Sequence, residues 1–385
     1  MSTRNTEFGP LRVIDSTLRE GEQFAQAHFS PDDRIRLALA LDAFGVDELE
    51  LPSPAVGPAA AQEVATVIGL GLRAAVRVHV RCSPAEIEAA QAAGATGFHL
   101  YLGTSPARAA SRATSWPRLS REIRESVTLA RSSGAFVRFS AEDAFRTPLR
   151  RLFAAFDVAV EAGAQRLGVP DTVGVATPEL VARTVRRVAA RYPGIALEFH
   201  GHNDTGCAVA NSVAAWQAGA EGLDVTVLGI GERVGITSLS GLMARIYTLA
   251  PSSLARYQLA HLPELDARVA RLSGVAIPFN QPLTGEHAFT HVAGVHSQAV
   301  LRAPGIYEAI DPSVVGRARV ISVGSRLTGR HAVADFASRL LGREIASGEV
   351  QTATVALRAA AAAGRLEPLA AAGIVRAALA GPLGE

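Results

Sequence analysis

Lysine is absent from this chain of 385 residues, in which every basic residue of the 38 counted as lysine or arginine is an arginine. The absence excludes a Schiff base on lysine and a lysine general base from any mechanism. Cysteine is scarce as well, because Cys82 and Cys207 are too few for a disulfide framework. Two cysteines are typical of a reducing compartment, so we expect a cytoplasmic protein.

Strong net charge and long apolar runs are also missing. The formal net charge is +2 and the arginines are scattered along the chain, so nothing predicts a nucleic-acid interface. No apolar run reaches membrane-spanning length, and residues 1–10 are polar, so we expect no membrane span. Because 48% of the residues are hydrophobic, the chain can bury a large core, and small-molecule chemistry is favoured.

What the chain does contain, from residue 12 to about 249, is a regular alternation of short apolar runs with longer alanine-rich stretches. This pattern is typical of parallel strands joined by crossover helices. Ser30, Ser83 and Thr177, each followed by proline and an early acid, are predicted helix N-caps. The predicted strands are 12–16, 46–51, 74–80, 97–102, 135–140, 166–170, 195–200 and 223–228. Eight strand-helix units favour an α/β fold in the form of a closed (β/α)8 TIM barrel. An open doubly wound sheet with an extra unit gives the same order of predicted elements.

The periodicity changes after the barrel pattern ends. We predict a catalytic TIM barrel over residues 1–250, a linker and lid subdomain over 251–325, and a C-terminal helical subdomain over 326–385. The last region is rich in alanine and low in charge, which favours packing over disorder. A helical lid or a dimerisation arm is the predicted role of the C-terminal part.

Histidines cluster where the seventh predicted strand ends. Glu198, His200 and His202 are spaced two residues apart, so a strand places them on one face. Two imidazoles with a carboxylate from elsewhere make a candidate site for a divalent cation with open positions for a substrate. The alternative interpretation is a histidine that merely satisfies polar groups in the core.

A second polar segment follows the first predicted strand, where Arg19 and Glu20 lie in the run 13–24. Together with the runs 200–207 and 229–233, this segment resembles the homocitrate synthase and isopropylmalate synthase family, whose motifs occur in the same order. The sequence Thr-Gly-Cys at 205–207 is more similar to the homocitrate branch. The resemblance implies a metal-dependent TIM barrel that condenses acetyl-CoA with a 2-oxo acid.

The resemblance also implies roles for single residues. Glu20, His200 and His202 match the metal ligands, and a carboxylate with two imidazoles accepts Mg, Mn, Co or Zn. Arg19 matches the arginine that polarises the carbonyl of the forming enolate, and a salt bridge to Glu20 or Glu50 is the alternative.

Other positions match the family's pocket. Arg138, Ser140 and Thr172 offer a cation and two hydroxyls to one volume, which suits the carboxylates of a diacid. His79 matches a substrate-binding histidine. The remaining matches, whose role is either direct contact or orientation of the contacting groups, are Gln23, Glu50, Glu142 and Glu198, with Glu142 placed among the catalytic candidates.

A second histidine-rich run, 289–296, lies beyond the barrel pattern. It resembles the family segment that enters the active site of a neighbouring subunit. His296 would then be the catalytic base and Tyr307 an accompanying lid residue, which implies a homodimer with shared active sites. The alternative is a histidine that satisfies a loop carbonyl.

His99 departs from the family pattern, because homocitrate synthases usually carry an aspartate at this place, near the distal end of the substrate. The exchange of an anion for an imidazole makes a more anionic acceptor credible and puts feedback inhibition by lysine in doubt. We expect His99 to face the acceptor.

These features predict an acyltransferase that joins acetyl-CoA to a 2-oxo acid with a distal anionic group, most simply 2-oxoglutarate as in homocitrate synthases. One alternative is the use of a phosphonate or phosphinate analogue of oxaloacetate in specialised metabolism, as in 2-phosphonomethylmalate or 2-phosphinomethylmalate synthesis. Others are a metal-dependent lyase of the same superfamily and a catalytically silent metabolite sensor.

Overall fold

A closed barrel of eight parallel strands, paired in chain order, forms the first part of the protein in a computed structural model that describes residues 9–380. The strands are Arg12–Asp15 (β1), Glu48–Leu51 (β2), Ala75–Arg81 (β3), Gly97–Gly103 (β4), Phe136–Glu142 (β5), Arg166–Asp171 (β6), Ala196–Gly201 (β7) and Gly222–Val225 (β8). Closure is made by β8 and β1, where Arg12 lies opposite Gly222 and Asp15 opposite Val225. The predicted TIM barrel is confirmed, and the open sheet is not formed.

The eight predicted strands are all present, with boundaries that differ by a few residues. The largest difference is in β8, which ends at Val225 rather than at residue 228. The chain turns into a short 3-10 segment at Val227–Gly229, in which Leu228 takes a left-handed conformation with φ 60°. Such a residue cannot continue a strand.

Helices follow the strands and cover the outside of the barrel. They are Pro31–Phe44 (α1), Pro58–Ile68 (α2), Pro84–Ala92 (α3), Pro106–Ser111 (α4), Trp116–Ser132 (α5), Leu149–Glu161 (α6), Pro178–Arg191 (α7), Ala208–Gln217 (α8), Leu239–Leu249 (α9) and Leu262–Ser273 (α10). Ser30 forms a capping box with Asp33, and Thr177 accepts from the Leu180 N–H. Ser83 occupies the predicted N-cap position of α3 without a side-chain hydrogen bond.

The strands alternate apolar and polar residues, and this alternation determines what fills the barrel. On β4, Phe98 and Leu100 are fully buried apolar side chains, while His99 between them contacts Glu50 of β2. On β5, Arg138 lies between two buried apolar residues and contacts the same Glu50. TIM-barrel interiors are usually filled by branched aliphatic side chains. Here charged side chains and their ion pairs occupy much of that interior.

The described chain divides into two compact units, with the boundary between Ile277 and Pro278. The first unit extends past residue 250, where we predicted the barrel to end, because α10 packs against α1. The segment before α10 contains the short 3-10 turns Pro251–Leu254 and Leu259–His261.

The second unit contains a two-stranded parallel sheet and four helices among its described residues. The strands are Thr290–His291 (β9) and Val320–Ile321 (β10), and the helices are Gly294–Arg302 (α11), Arg330–Leu341 (α12), Ser347–Ala360 (α13) and Pro368–Leu379 (α14). Val300, Val333, Leu357 and Val375 contribute to its apolar core. The predicted C-terminal helical region is confirmed as part of this unit. Among residues 9–380, no helix is both long and apolar enough to cross a membrane.

Candidate active site

A pocket opens at the carboxyl ends of the barrel strands, where TIM barrels carry their active sites. Most of the predicted site residues line it. The lining residues are Arg19, Glu20, Gln23, His79, Tyr101, Arg108, Arg138, Ser140, Glu142, Pro170, Thr172, His200, His202, Glu232 and Arg233. Side chains from β3, β4, β5, β6 and β7 and from the segments after β1, β4, β6, β7 and β8 therefore meet in one place, although they are far apart in the sequence.

Glu20, His200 and His202 form a candidate metal centre in this pocket. One ligand atom from each residue lies within 4.8 Å of the others, and His202 Nε2 lies 4.0 Å from Glu20 Oε1. Glu20 comes from the loop after β1, whereas the histidines come from β7 and the bridge residue that follows it. Two imidazoles and a carboxylate at this separation fit a divalent cation with open coordination positions.

The glycine-rich turn after β8 makes room for the Glu20 carboxylate. A Cβ on Gly231 would lie 2.8 Å from Glu20 Oε1, so a side chain there would collide with the carboxylate. The next residue, Glu232, donates its backbone N–H to the same oxygen at 2.8 Å. The run 229–233, which we noted in the sequence for its family resemblance, therefore supports the carboxylate of the candidate metal centre.

The electrostatics of Glu20 and His202 suit metal binding. Burial alone would raise the pKa of Glu20, but the nearby Arg19 and the two histidines hold it below its ordinary value. Burial and the neighbouring His200 lower the pKa of His202 to about 3. The carboxylate is thus ionised and this imidazole is neutral, which are the forms that coordinate a cation.

Asp224 on β8 orients one of the histidines. Its Oδ2 lies 3.0 Å from His200 Nδ1, so Nδ1 donates to the carboxylate and Nε2 is the ring nitrogen that faces a cation. A carboxylate behind a histidine in this way is the usual support of a metal ligand. Asp224 was not among the residues identified from the sequence.

Arg19 is held between two carboxylates. Its Nε donates to Glu50 Oε2 at 2.7 Å, and its NH1 group pairs with Glu20. The side chain is buried yet lines the pocket. Arg19 therefore makes the salt bridges to Glu20 and Glu50 that we considered as an alternative role. It also lines the pocket, so both roles are compatible with the structure.

Arg138, Ser140 and Thr172 lie in the same pocket, on β5 and just after β6. Thr172 Oγ1 accepts from the Asp143 N–H at 2.9 Å, so its own proton remains available to a ligand. Arg138 also pairs with Glu198 and lies 3.5 Å from Asp224. The carboxylates around Arg138 hold its guanidinium firmly in place.

His79 and Glu142 face the pocket beside two residues that the sequence analysis missed. The ring of His79 lies against Tyr101, with centroids 4.5 Å apart, and burial lowers the pKa of His79 well below its ordinary value. Arg108 pairs with Glu142 at 2.8 Å, while burial raises the pKa of that carboxyl. Tyr101 lies two residues after His99, so the alternation along β4 already places the two side chains on the same face of the strand.

Three predicted pocket residues, Glu50, His99 and Glu198, are absent from the pocket lining and lie inside the barrel. All three are essentially inaccessible to solvent. Glu198 pairs with Arg138 and Arg166, and His99 lies between Glu48 and Glu50. Of the two roles left open for Glu50 and Glu198, the geometry favours orientation of the groups above them.

His296 and Tyr307 belong to the second unit and form a pair there. Their ring centroids lie 4.2 Å apart. His296 lies in the first turn of α11, and Tyr307 follows the 3-10 turn after that helix. The structure thus brings together the two residues that the resemblance assigned to one active-site lid.

Arg233 and Asp204 complete the rim of the pocket. Arg233 donates to both oxygens of Asp204 and to the Thr172 carbonyl, although its backbone has an unfavourable φ of 58°. A non-glycine residue in this conformation carries strain that surrounding contacts must offset. This ion pair and the hydrogen bond to Thr172 connect the loops after β6, β7 and β8 beside the candidate metal centre.

The fold and this site define a TIM barrel with a candidate metal centre at the carboxyl ends of its strands. Residues 10–269 match the HMGL-like family model, and residues 283–365 match the model of the homocitrate synthase post-HMGL domain-like family. The chain belongs to the HMGL-like family and, within it, to the homocitrate synthase and isopropylmalate synthase group. The predicted resemblance is confirmed.

Similar proteins span most of the chain. The cytosolic homocitrate synthase of Saccharomyces cerevisiae is 41% identical over 325 residues, which cover 84% of this chain and 76% of that protein. The homocitrate synthase of Sulfolobus acidocaldarius is 36% identical and covers 88% of this chain and 72% of its own length. A probable 2-isopropylmalate synthase of Methanopyrus kandleri is 39% identical over 84% of this chain and 64% of its own length.

Solved structures agree on the fold. The HMG-CoA lyase of Bacillus subtilis superposes with a TM-score of 0.63 and 20% sequence identity, covering 70% of this chain and 96% of its own. At this level of identity the likeness concerns the barrel alone.

Proposed function

We propose that the protein condenses acetyl-CoA with 2-oxoglutarate, releasing CoA and forming homocitrate, as an acyltransferase of the homocitrate synthase type. The observation that carries the proposal is the convergence of Glu20, His200 and His202 with Arg19 and Arg138 in one pocket. Similarity to homocitrate synthases from yeasts and an archaeon over more than four fifths of the chain supports the same activity.

The acceptor binds where cations and hydroxyls face the pocket. A divalent cation held by Glu20, His200 and His202 would supply Lewis-acid polarisation of the 2-oxo group. Sequence and donor set together allow Mg, Mn, Co or Zn. Ser140 and Thr172 offer hydroxyl donors to a carboxylate of the diacid. Neutral His79 and Gln23 complete the polar wall.

The methyl group of acetyl-CoA must lose a proton before it attacks C2 of the acceptor. Arg19 is positioned to stabilise the charge that develops on the thioester oxygen as this proton leaves. His296 is the proposed base, and Tyr307 holds its ring. Glu142, a half-buried carboxyl whose pKa is raised by desolvation, is available to return a proton to the product alkoxide. Hydrolysis of the resulting thioester then releases CoA.

Because His296 lies in the second unit, we propose that each active site borrows this unit from a partner chain in a homodimer. We also propose a cytoplasmic location, in keeping with two cysteines that are both free in the structure. The yeast relatives include cytosolic and mitochondrial isozymes, so the compartment needs a direct test by fractionation or imaging of the native protein.

The experiment that tests the reaction measures thiol release from acetyl-CoA by the purified protein. The acceptor panel is 2-oxoglutarate, oxaloacetate, 2-oxoisovalerate and phosphonopyruvate, with mass spectrometry of the products. We expect the highest kcat/KM with 2-oxoglutarate. Arg19→Gln should remove turnover, whereas Arg36→Gln, at an exposed arginine of α1, should not.

The same panel separates the alternatives. The comparisons do not favour an acceptor of the phosphonate type, because the similar proteins are named homocitrate synthases, and preferred use of phosphonopyruvate would reverse that conclusion. Cleavage of an acyl-CoA without net condensation would identify a lyase. If the protein reacts with none of the acceptors, the remaining alternative is a catalytically silent metabolite sensor.

A further inference from the structure

Glu50 contacts both Arg19 and the charged side chains inside the barrel. Its Oε2 accepts from Ser16 Oγ at 2.6 Å and from Arg19 Nε at 2.7 Å. Its Oε1 accepts from His99 Nδ1 at 2.7 Å and from Arg138 NH2 at 3.2 Å. Both oxygens therefore have two donors each, and the side chain is fully buried.

A carboxylate with this set of donors has little capacity left for a substrate. Burial would raise its pKa, but Arg19 above all, with His99 and Arg138, holds the pKa of Glu50 well below its ordinary range. Glu50 is an anion that fixes the direction of two arginines lining the pocket. A buried charge of this kind requires all of its partners.

His99 is the only one of these four donors that contacts neither the pocket nor the segment following β1. Its exposure is 0%, and its Nε2 faces Glu48 Oε2 at 3.4 Å on the side opposite to Glu50. Glu48 in turn accepts from Arg166 at 2.7 Å. His99 thus links the carboxylate beneath Arg19 to the ion pairs deeper in the barrel.

The β4 side chain that does reach the pocket is Tyr101, one strand period beyond His99. It lies against His79 with ring centroids 4.5 Å apart. Alternation along a strand places residues two apart on the same face, at successive depths. An acceptor in the pocket therefore meets Tyr101 and not the imidazole below it.

We propose that His99 is a positioning residue that acts through Glu50 on Arg19, and that it makes no contact with the acceptor. Arg138 keeps its direction without His99, because Glu198 and Asp224 also hold it. The inference rests on the proposed condensation, because its kinetic readout is that reaction. His99 Nδ1 is the atom that matters, since it donates the hydrogen bond that holds Glu50 Oε1. Loss of this bond leaves Arg138 as the one remaining donor to Glu50 Oε1, which weakens the orientation of Glu50 and, through it, of Arg19.

Two near-isosteric substitutions separate the two ring nitrogens. The amide nitrogen of asparagine can occupy the place of Nδ1 and keep the donor to Glu50, whereas that of glutamine reaches the place of Nε2 and loses it. We expect His99→Asn to keep kcat within about fivefold of wild type and His99→Gln to lower kcat by about thirtyfold. KM for the acceptor should stay within about twofold in both, and the ranking of acceptors should not change.

Tyr101→Ala is the matched comparison on the same strand, and it should raise the acceptor KM instead. Nuclear magnetic resonance of 15N-histidine-labelled protein adds a readout that a packing role would not produce. The His99 Nδ1 proton should give a strongly deshielded signal that disappears in Glu50→Gln, while far-ultraviolet circular dichroism verifies that each variant is folded.

Several outcomes would overturn the inference. They are a changed acceptor ranking or raised acceptor KM in His99→Gln, equal kcat values in the two His99 variants, and absence of the Nδ1 proton signal in wild type. Turnover by the wild-type protein is scored separately. If the wild-type protein shows no turnover, both the proposed function and the inference are rejected. If the wild-type protein is active but the His99 variants give one of the outcomes above, the inference alone is rejected.

Discussion

The ring of Tyr307 lies against that of His296, with centroids 4.2 Å apart and an angle of 32° between the ring planes. The residue after Tyr307, Glu308, accepts from Arg319 Nε at 2.7 Å and is 2.9 Å from His291 Nε2. The turn that carries the tyrosine is therefore tied to β9 and to the residue that precedes β10. This arrangement fixes the proposed base and its neighbour within one compact unit.

The first prediction concerns the contacts of Glu308 with Arg319 and His291. Glu308→Gln removes the charge that Arg319 and His291 share and should loosen the Tyr307 turn. Because small displacements of reacting groups are costly, we expect kcat to fall by about ten- to a hundredfold. Steady-state kinetics measures the loss, and thermal unfolding should change little. Glu286→Gln, at an exposed glutamate of the same unit, is the control, and an equal loss there would refute the assignment.

The second prediction concerns the metal centre. His200→Ala and His202→Ala should each lower turnover by at least about a hundredfold and leave the protein without stoichiometric metal. Elemental analysis of the purified variants measures the metal independently of activity. Circular dichroism should show an intact barrel. His261→Ala, at an exposed histidine of the barrel unit, should behave as wild type.

The third prediction tests the support behind His200. Asp224→Asn removes the carboxylate that lies 3.0 Å from His200 Nδ1 while keeping the size of the side chain. We expect metal affinity to fall by about ten- to a hundredfold. Titration with a chelator measures this change. Unaltered affinity would mean that the contact holds the strands and not the ligand.

The alternation of short apolar runs with amphipathic stretches was enough to predict eight strand-helix units, and their number favoured a barrel over an open sheet. The ends of the strands identified most of the pocket, since polar residues such as Arg19 and His200 are conspicuous at the end of an apolar run. The resemblance supplied their roles.

The sequence alone did not reveal how deep each inward-facing side chain lies within the barrel. His99 and Tyr101 lie on the same face of β4, and no one-dimensional pattern states which one the pocket reaches. Arg108 and Asp224 were missed for a related reason. Their significance depends on partners from distant segments, Glu142 and His200, which only closure of the barrel brings near.

The fourth prediction concerns assembly. If His296 serves the barrel of a partner chain, a mixture of inactive Glu20→Ala and inactive His296→Ala proteins should recover up to about a quarter of wild-type activity after subunit exchange. Exchange is monitored by fluorescence energy transfer between labelled chains. Complete exchange without recovery, or a fully active monomer in analytical ultracentrifugation, would contradict the shared site.

The last prediction concerns the pH dependence of stability and rests on Asp15, at the end of β1. Burial raises the pKa of this carboxyl to about 7, even though Asp15 accepts from the Thr17 N–H. The folded protein then holds a proton that the unfolded chain releases near pH 4. The stabilisation is therefore complete below the unfolded pKa and is lost as the pH rises through about 7.

Asp15→Asn keeps an oxygen for the Thr17 N–H but cannot ionise, so its stability should not fall over this interval. Relative to wild type, we expect the variant to gain roughly 3–4 kcal/mol in the free energy of unfolding between pH 4 and pH 8. Denaturant titrations at several pH values measure the difference. Asp32→Asn, at an exposed aspartate of α1, is the control. A constant difference between Asp15→Asn and wild type across the pH range would show that Asp15 is ionised in the folded protein.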